Sequence, residues 1–453
     1  MKSESVVVIG GGLAGITAAL RLADRGQPVT LIEAKPRLGG LTTSFRRGDL
    51  DVDTGQHVFL RCCTAYRGLL DRLGVTALTT LQDRLDVPVI RAADGRQARL
   101  RRGPLPVVGG LPLHLMRSLA TYRALPVTAR SATARAALAL RSVDPADPSV
   151  DETSFGDWLA EHGQSRTAID ALWDLIGIAA LNARADDASL ALAATVFQIG
   201  MLTDPGAADI GWPTVPLHRL HAEPAMRALR DRGVEVLLRT RVTAVAPLPD
   251  GWSVRTDSAS LAADAVIVAT DPPTTERLLP PGALDLAPGW SERLGATPIV
   301  NVHAVFDRRV MTEPFLACVG SPLQWLFDRT GPAGLQHGQY VAASLSAADD
   351  VAGRPVAELR DALLPAFARV LPAVRDAALR DFFVTREPHA TFRQAPGCGR
   401  WRPPASTRLP GLVLAGAHTQ TGWPATMEGA VRSGETAAEL LRQHRTVAMA
   451  GAR

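Results

Sequence analysis

Val6-Val7-Val8-Ile9-Gly10-Gly11-Gly12-Leu13-Ala14-Gly15 couples a β-branched apolar run to a glycine-rich turn. Four such residues in a row predict a short parallel strand buried on both faces. Gly10, Gly12 and Gly15 stand where a strand-turn-helix needs them: the first for a tight turn, the second for close approach to a pyrophosphate, the third for contact between helix and sheet. A helix is predicted from Ala14 to Leu22. Its first turn, around Leu13 and Ala14, offers unpaired N–H groups and a partial positive charge, so a diphosphate can bind there without a lysine.

Gly26 closes that helix, and Pro28-Val29-Thr30-Leu31-Ile32 reads as the second strand. Glu33 ends it, 23 residues after Gly10, where a carboxylate accepts both hydroxyls of an adenosine ribose. An acid there favours FAD or NAD over NADP, and the unit does not separate the first two.

The far end of the chain repeats the theme. Leu412-Val413-Leu414-Ala415 is another buried-strand run ended by Gly416-Ala417, and a helix is predicted from about Ala425 through Leu441 with Thr426, Met427 and Glu428 in its first turn. In mid-chain, Gly233 to Val245 and Gly251-Trp252-Ser253-Val254 read as strands leading into Asp264-Ala265-Val266-Ile267-Val268-Ala269-Thr270-Asp271-Pro272-Pro273.

Glu33-Ala34-Lys35-Pro36-Arg37-Leu38-Gly39-Gly40, followed by Asp53-Thr54-Gly55-Gln56-His57, resembles the FAD-dependent amine oxidase and phytoene desaturase superfamily. In that superfamily a Gly-Gly turn after the acid lies along the flavin's pyrophosphate and ribityl chain. The resemblance implies an FAD site drawing on Gly10, Gly12, Leu13, Ala14, Gly15, Glu33, Ala34, Lys35, Arg37, Gly39, Gly40, Gly55, Gln56 and His57. It adds the backbone at Val242 against the adenine, and Gly416, Ala417, Thr426 and Met427 near the flavin ring, where the helix dipole stabilises negative charge on the reduced cofactor. Two positions depart from the family pattern. Leu41 stands where arginine is usual, with Lys35 and Arg37 as substitute cations. Ala417 stands where Asp is common, so one hydrogen bond to the cofactor is missing or comes from elsewhere.

The implied fold is α/β: a doubly wound, Rossmann-like FAD-binding domain assembled from 1–90, 216–284 and 406–453, and a discontinuous mixed α+β substrate-binding domain from 91–215 and 285–405. A chain of 453 residues, 46% of them apolar, suits two such interleaved units. No run of eighteen uncharged apolar residues and no signal-peptide pattern is present, which predicts a cytoplasmic protein, soluble or peripheral on the inner face of the membrane. Cys62, Cys63, Cys318 and Cys398 show no metal or redox spacing and read as free thiols.

The net charge of +4 is carried almost wholly by arginine, since Lys2 and Lys35 are the only lysines. Between Gly95 and Val143 stand nine arginines and no acid, interleaved with Leu105-Pro106-Val107-Val108, Leu111 to Met116 and Leu138-Ala139-Leu140. Basic residues beside apolar helices, here around 103–141, suit an anionic lipid surface. Helices over a substrate cavity with solvated arginines are the plainer alternative. No nucleic-acid motif accompanies the basic stretch.

Further blocks narrow the resemblance. Gly55-Gln56-His57-Val58-Phe59-Leu60 with Tyr66, Phe155-Gly156-Asp157-Trp158-Leu159, Leu172-Trp173-Asp174 with Ala179-Ala180-Leu181-Asn182, Gln324 to Arg329, and Ala390-Thr391-Phe392-Arg393-Gln394-Ala395-Pro396 are similar to hydroxysqualene dehydroxylases, also called squalene-associated FAD-dependent desaturases. What this implies is a C30 isoprenoid substrate that loses its hydroxyl and gains a hydride from reduced FAD, supplied by an external electron donor. The allylic C–O bond would ionise with acid assistance, and the carbocation would need aromatic faces nearby. Trp173, Trp325, Phe327 and Trp423 are the lining candidates, each also readable as core. His57, Asp328 and Glu428 are the candidate acids, against plainer roles as a hydrogen-bond partner, an ion-pair partner of Arg329 and a complement to the helix dipole. An oxidative carotenoid or phytoene desaturase shares the frame with hydride running the other way. An amine oxidase is disfavoured by the scarcity of tyrosine, and a flavin-stabilised scaffold or lipid carrier stays open through Leu41 and Ala417.

Overall fold

In the computed structural model, which describes residues 5–108 and 111–451, Val6–Ile9 is the middle strand of a five-stranded parallel sheet. The order is Glu235–Leu238, Val29–Glu33, Val6–Ile9, Ala265–Val268, Leu412–Leu414. Val8 stands opposite Leu31 and Ile267. The apolar run is explained by burial of alternate residues on opposite faces. Val6 and Val8 pack with Ile16 and Leu20 of the helix Leu13–Ala23 and Val431 and Ala438 of the helix Met427–Gly451. Val7 and Ile9 pack with Val245, Trp252 and Val254. The sheet is Rossmann-like, as expected. Its second face is covered by a three-stranded antiparallel sheet, Val242–Leu248, Gly251–Thr256 and Ser260–Ala263, together with the helix Pro272–Leu278, rather than by helices alone.

Gly26 ends the first helix as expected, at φ +73 with its N–H on the Ala23 carbonyl. The last helix begins at Met427, two residues beyond the expected Ala425, because Thr426 caps it: the Thr426 Oγ1 accepts the Gly429 N–H at 3.1 Å.

The second sheet has seven strands in the order Leu379–Phe392, Ala296–Phe306, Gln339–Leu345, Trp325–Asp328, Phe315–Val319, Asp86–Arg91, Gln97–Arg101. The expected division at residue 90 therefore falls inside one of its strands. Val300, Val302, Ala304 and Phe306 face a core closed by the helix Val356–Val370. By the two-residue period of a strand, Asn301, His303 and Val305 face the other way. Helices between Leu113 and Phe197 form a third core around Phe155, Trp158 and Trp173. Within it Asn182 ends a helix in the left-handed conformation (φ 50). Its Nδ2 donates to the Thr297 carbonyl and its Oδ1 accepts the Ala347 N–H, fastening helices to sheet.

Among the described residues no helix is long and apolar enough to cross a membrane. The four cysteines are free thiols.

Candidate cofactor and substrate site

The glycine turn forms by necessity of space. A Cβ on Gly15 would lie 1.9 Å from the Gly10 carbonyl oxygen, and one on Gly10 (φ +108) 2.3 Å from that of Ala269. A Cβ on Gly12 would meet nothing nearer than the Gly40 Cα at 4.0 Å, so that side of its backbone lies open. The Gly39-Gly40 turn sits against it, held by the Gly39 N–H on the Gly11 carbonyl at 2.8 Å. The two glycine turns, 28 residues apart in sequence, thus form one cradle.

Glu33 is buried at its rim. One carboxylate oxygen accepts the Gly11 N–H and the other the Lys35 N–H, each at 2.7 Å. A carboxylate offers about four acceptor positions, so capacity remains for ribose hydroxyls. The backbone entering Val242 is brought alongside: Thr240 N–H donates to the Glu33 carbonyl and Arg239 N–H to that of Lys35. Ala34, Lys35 and Arg37 are exposed, as is Leu41.

Gly55, Gln56 and His57 form a turn facing Asn301 of the second sheet, whose Nδ2 approaches the Thr54 carbonyl at 3.4 Å. The His57 Nδ1 lies 3.1 Å from the Gly55 carbonyl, which fixes the proton on Nδ1 and leaves Nε2 as the basic nitrogen. Loss of water around the ring holds its pKa below the ordinary value, against opposing pulls from Gly55 and Asp53. Behind this turn runs a buried relay: the Tyr66 hydroxyl meets His221 Nε2 at 2.8 Å, and His221 Nδ1 meets the Thr42 carbonyl at 3.2 Å. Burial pushes His221 down to about 3.

The C-terminal segment is organised by a residue that the sequence did not single out. Arg402 is 5% exposed and donates to the carbonyls of Ala417, His418, Thr419 and Trp423 and to the Thr421 hydroxyl. Its charge is taken up by carbonyl dipoles, and burial lowers its pKa to about 10. Gln394 binds the same region, accepting the Ala425 N–H and donating to the Leu181 carbonyl. These contacts give the Ala390-to-Pro396 block its structural role.

Among the acid candidates, Glu428 is 1% exposed and accepts the N–H groups of Ala65 and Tyr66 and the guanidinium of Arg432. It caps the helix Thr64–Arg72 from across the fold. Asp328 accepts the Thr330 N–H and hydroxyl and the Gln339 amide. The expected ion pair with Arg329 is not formed, because successive side chains on an extended chain point to opposite sides. Arg329 is buried and pairs with Asp53 at 2.5 Å.

The aromatic candidates separate. Trp325 and Phe327 stack in one apolar cluster with Phe315, Trp212, Val58 and Leu60, next to His57 in the chain. Trp212 was not legible as part of it. Trp173 lies apart, 3% exposed between Phe155 and Phe197, with its Nε1 on Gln164, because a π-helical turn at Ile169–Trp173 rotates it into the helical core. Trp423 is half-buried beneath the Arg432 guanidinium at 4.8 Å.

In the basic stretch, Arg99 and Arg101 pair with Asp86, Arg102 pairs with buried Asp209, and Arg130 donates to backbone carbonyls. Arg117, Arg123 and Arg135 are exposed, beside Leu105, Met116, Val127 and Leu138, which are 53, 60, 73 and 38% exposed. Gly109 and Gly110 of this stretch lie outside the described residues.

A bound dinucleotide fits these features. The two glycine turns form a cradle that side chains would fill. Of the buried polar side-chain atoms without a hydrogen-bond partner among the described residues, Thr43 Oγ1, Gln56 Nε2, Asn301 Oδ1 and His418 Nε2 belong to the segments described above, and Arg72 Nε, His114 Nδ1 and Arg130 Nε lie elsewhere. Buried polar groups are normally satisfied, so each of the four asks for a partner that a bound dinucleotide could supply.

Comparison with known proteins agrees. The family model of flavin containing amine oxidoreductases matches residues 13–442. Hydroxysqualene dehydroxylase of Rhodopseudomonas palustris is 26% identical over 97% of this chain and 98% of its own. The chloroplastic/chromoplastic zeta-carotene desaturase of Zea mays is 26% identical over 95% of this chain and 82% of its own. Among solved structures, cyclohexylamine oxidase of Brevibacterium oxydans superposes with a TM-score of 0.72 at 20% identity, covering 98% of this chain and 100% of that one. Putrescine oxidase bound to putrescine does so with 0.69 at 20%, covering 97% and 99%. The family implies a flavin cofactor and oxidoreductase activity, and the chain belongs to the flavin-containing amine oxidoreductases.

Proposed function

We propose that this protein is an FAD-dependent enzyme that reductively removes the hydroxyl of hydroxysqualene to give squalene. The observation that carries the reading is the aromatic-rich apolar cluster of Trp325, Phe327, Trp212, Val58 and Leu60, which the chain enters at Val58, the residue after His57. It suits a long hydrocarbon and offers aromatic faces to a cation. Full-length similarity to the dehydroxylases of Rhodopseudomonas palustris and Sinorhizobium fredii supports the choice within the family.

When bound and reduced, FAD supplies the hydride. The cradle of Gly10, Gly12, Gly39 and Gly40 would hold the pyrophosphate and Glu33 the adenosine ribose. The leaving hydroxyl must depart as water, so one proton is required. Glu428 and Asp328 spend their oxygens on structural hydrogen bonds. His57 keeps Nε2 free for a substrate oxygen; because burial lowers its pKa, the ring must first take up a proton at Nε2 before it can pass one to the leaving hydroxyl. The exposed Leu105, Met116, Val127 and Leu138, with Arg117, Arg123 and Arg135, would rest on an anionic membrane from which the lipid enters.

The test is anaerobic incubation of the chemically reduced holoprotein with hydroxysqualene, and of the oxidised holoprotein with phytoene, followed by mass analysis. Squalene from the first supports the reading. A desaturated product from the second alone moves the protein to the carotene desaturases, which match it at similar identity. Unchanged flotation on anionic vesicles after R117E/R123E/R135E would sink the membrane contact.

A further inference from the structure

Ala417 leaves the segment after the last parallel strand without a carboxylate, and the next residue is a histidine. His418 is 5% exposed. Its ring folds back on Gly416, where a Cβ would stand 2.5 Å from the ring Cε1, so glycine at φ +142 makes room for it. The Trp290 indole runs nearly parallel to the ring, at 19° with centroids 6.3 Å apart. Arg402 holds the carbonyls of residues 417 to 419 and so fixes the backbone. With ring and backbone both held, Nε2 is buried and has no partner in the protein.

Of the other deeply buried histidines, His114 also leaves one ring nitrogen, Nδ1, unpaired, with Nε2 on the Met201 carbonyl, whereas two are fully paired. His221 uses both ring nitrogens, on Tyr66 and Thr42, and His303 uses both, on Tyr340 and Thr385. An orphaned buried nitrogen costs stability unless something else pairs with it. Its position indicates what that is. Gly416 follows Leu412–Leu414, and Asp271, whose charge reaches the ring, follows Ala265–Val268. Both lie on the carboxyl edge of the parallel sheet, with Gly10 and Glu33, and open α/β sheets bind ligands outside that edge.

We infer that His418 is a cofactor contact: Nε2 hydrogen-bonds an oxygen on the flavin-side half of the dinucleotide, replacing the carboxylate absent at Ala417. The inference rests on the flavin reading of the site and deepens it. Burial and the Arg402 charge keep the imidazole neutral, with a pKa of about 4, so the contact persists across the neutral range.

The test is FAD titration of the full-length apoprotein by flavin fluorescence and absorbance, alongside the apoprotein melting temperature, for wild type, His418→Phe and His418→Gln. His418→Phe replaces an orphaned nitrogen by an apolar ring, so the apoprotein should melt no lower than wild type while the Kd for FAD rises roughly tenfold. His418→Gln keeps an N–H and should stay within about threefold of wild type. Wild-type affinity and spectrum in His418→Phe would overturn the inference and leave the flavin reading standing. A joint fall in melting temperature and affinity would assign His418 to folding and overturn it as well. A wild type that takes up no FAD would overturn the flavin reading itself, and this inference with it.

Discussion

The Glu428 carboxylate closes the N-terminus of a helix 362 residues away, accepting the Tyr66 N–H at 2.7 Å. It also joins the last helix to the segment that follows the His57 turn. Glu428→Ala strands the buried Tyr66 N–H, the partly buried Ala65 N–H and the Arg432 charge. It should cost about 3 kcal/mol, read as a lower urea midpoint. Glu428→Gln keeps the acceptor and should lose less than half of that, with an unchanged pH profile of turnover. A shifted pH profile would return Glu428 to the candidate proton donors.

Asp53 accepts from the Arg329 guanidinium, the Ser44 hydroxyl and the Leu217 N–H. Asp53→Asn leaves Arg329 charged and buried, which should cost about 3–5 kcal/mol. Because Asp53 lies two residues before Gly55, flavin affinity should fall with it. A double variant, Asp53→Asn with Arg329→Met, should recover part of the stability but not the affinity.

The last helix touches the first through Gly434, where a Cβ would come 2.3 Å from the Ala14 carbonyl oxygen. Gly434→Ala should destabilise by about 1–3 kcal/mol and weaken flavin binding by displacing the first turn of the cofactor helix. Gly68 is the control. It lies in the helix Thr64–Arg72, and a Cβ there would meet no atom within 4 Å, so Gly68→Ala should stabilise by about 0.5–1 kcal/mol. Equal effects at the two glycines would refute the packing argument.

Burial holds His221 and His303 at about 3 and His418 at about 4. Unfolded, each titrates at about 6.5. Below that value the unfolded chain binds protons that the folded chain refuses, so this stability is present above pH 7 and drains away as pH falls. From pH 7.5 to 5.5 each histidine should forfeit about 1.4 kcal/mol, roughly 4 kcal/mol for the three. Guanidinium unfolding at the two pH values checks it, and a flat profile would contradict it.

Local pattern carried much of the fold. Val6 to Gly15, Glu33 and Leu412 to Gly416 have the required periodicity and turn chemistry within a few residues, and the parallel sheet follows. The partners of Glu428 and Arg329 were hidden because Tyr66 and Asp53 are hundreds of residues distant. Asp328 and Arg329 misled by adjacency, which on an extended chain separates side chains instead of pairing them. Arg402, inside Arg400-Trp401-Arg402-Pro403-Pro404, looks like one more solvated arginine until the carbonyls around it are seen. Asn301 did leave a signal: it shares one face of the apolar run Ile299 to Phe306 with His303, and two polar residues on one face of a buried strand ask for partners.

The pairing of Leu412–Leu414 with Ala265–Val268 has a consequence for biogenesis. The fifth strand, and then the helix that covers the first, emerge from the ribosome about 400 residues after the opening strand. Until that moment the opening strands present an uncovered apolar surface, the condition under which nascent chains aggregate or recruit chaperones. Cofactor loading then belongs after the fifth strand is made, and a nonsense mutation ahead of Leu412 should yield a product that is insoluble rather than merely inactive.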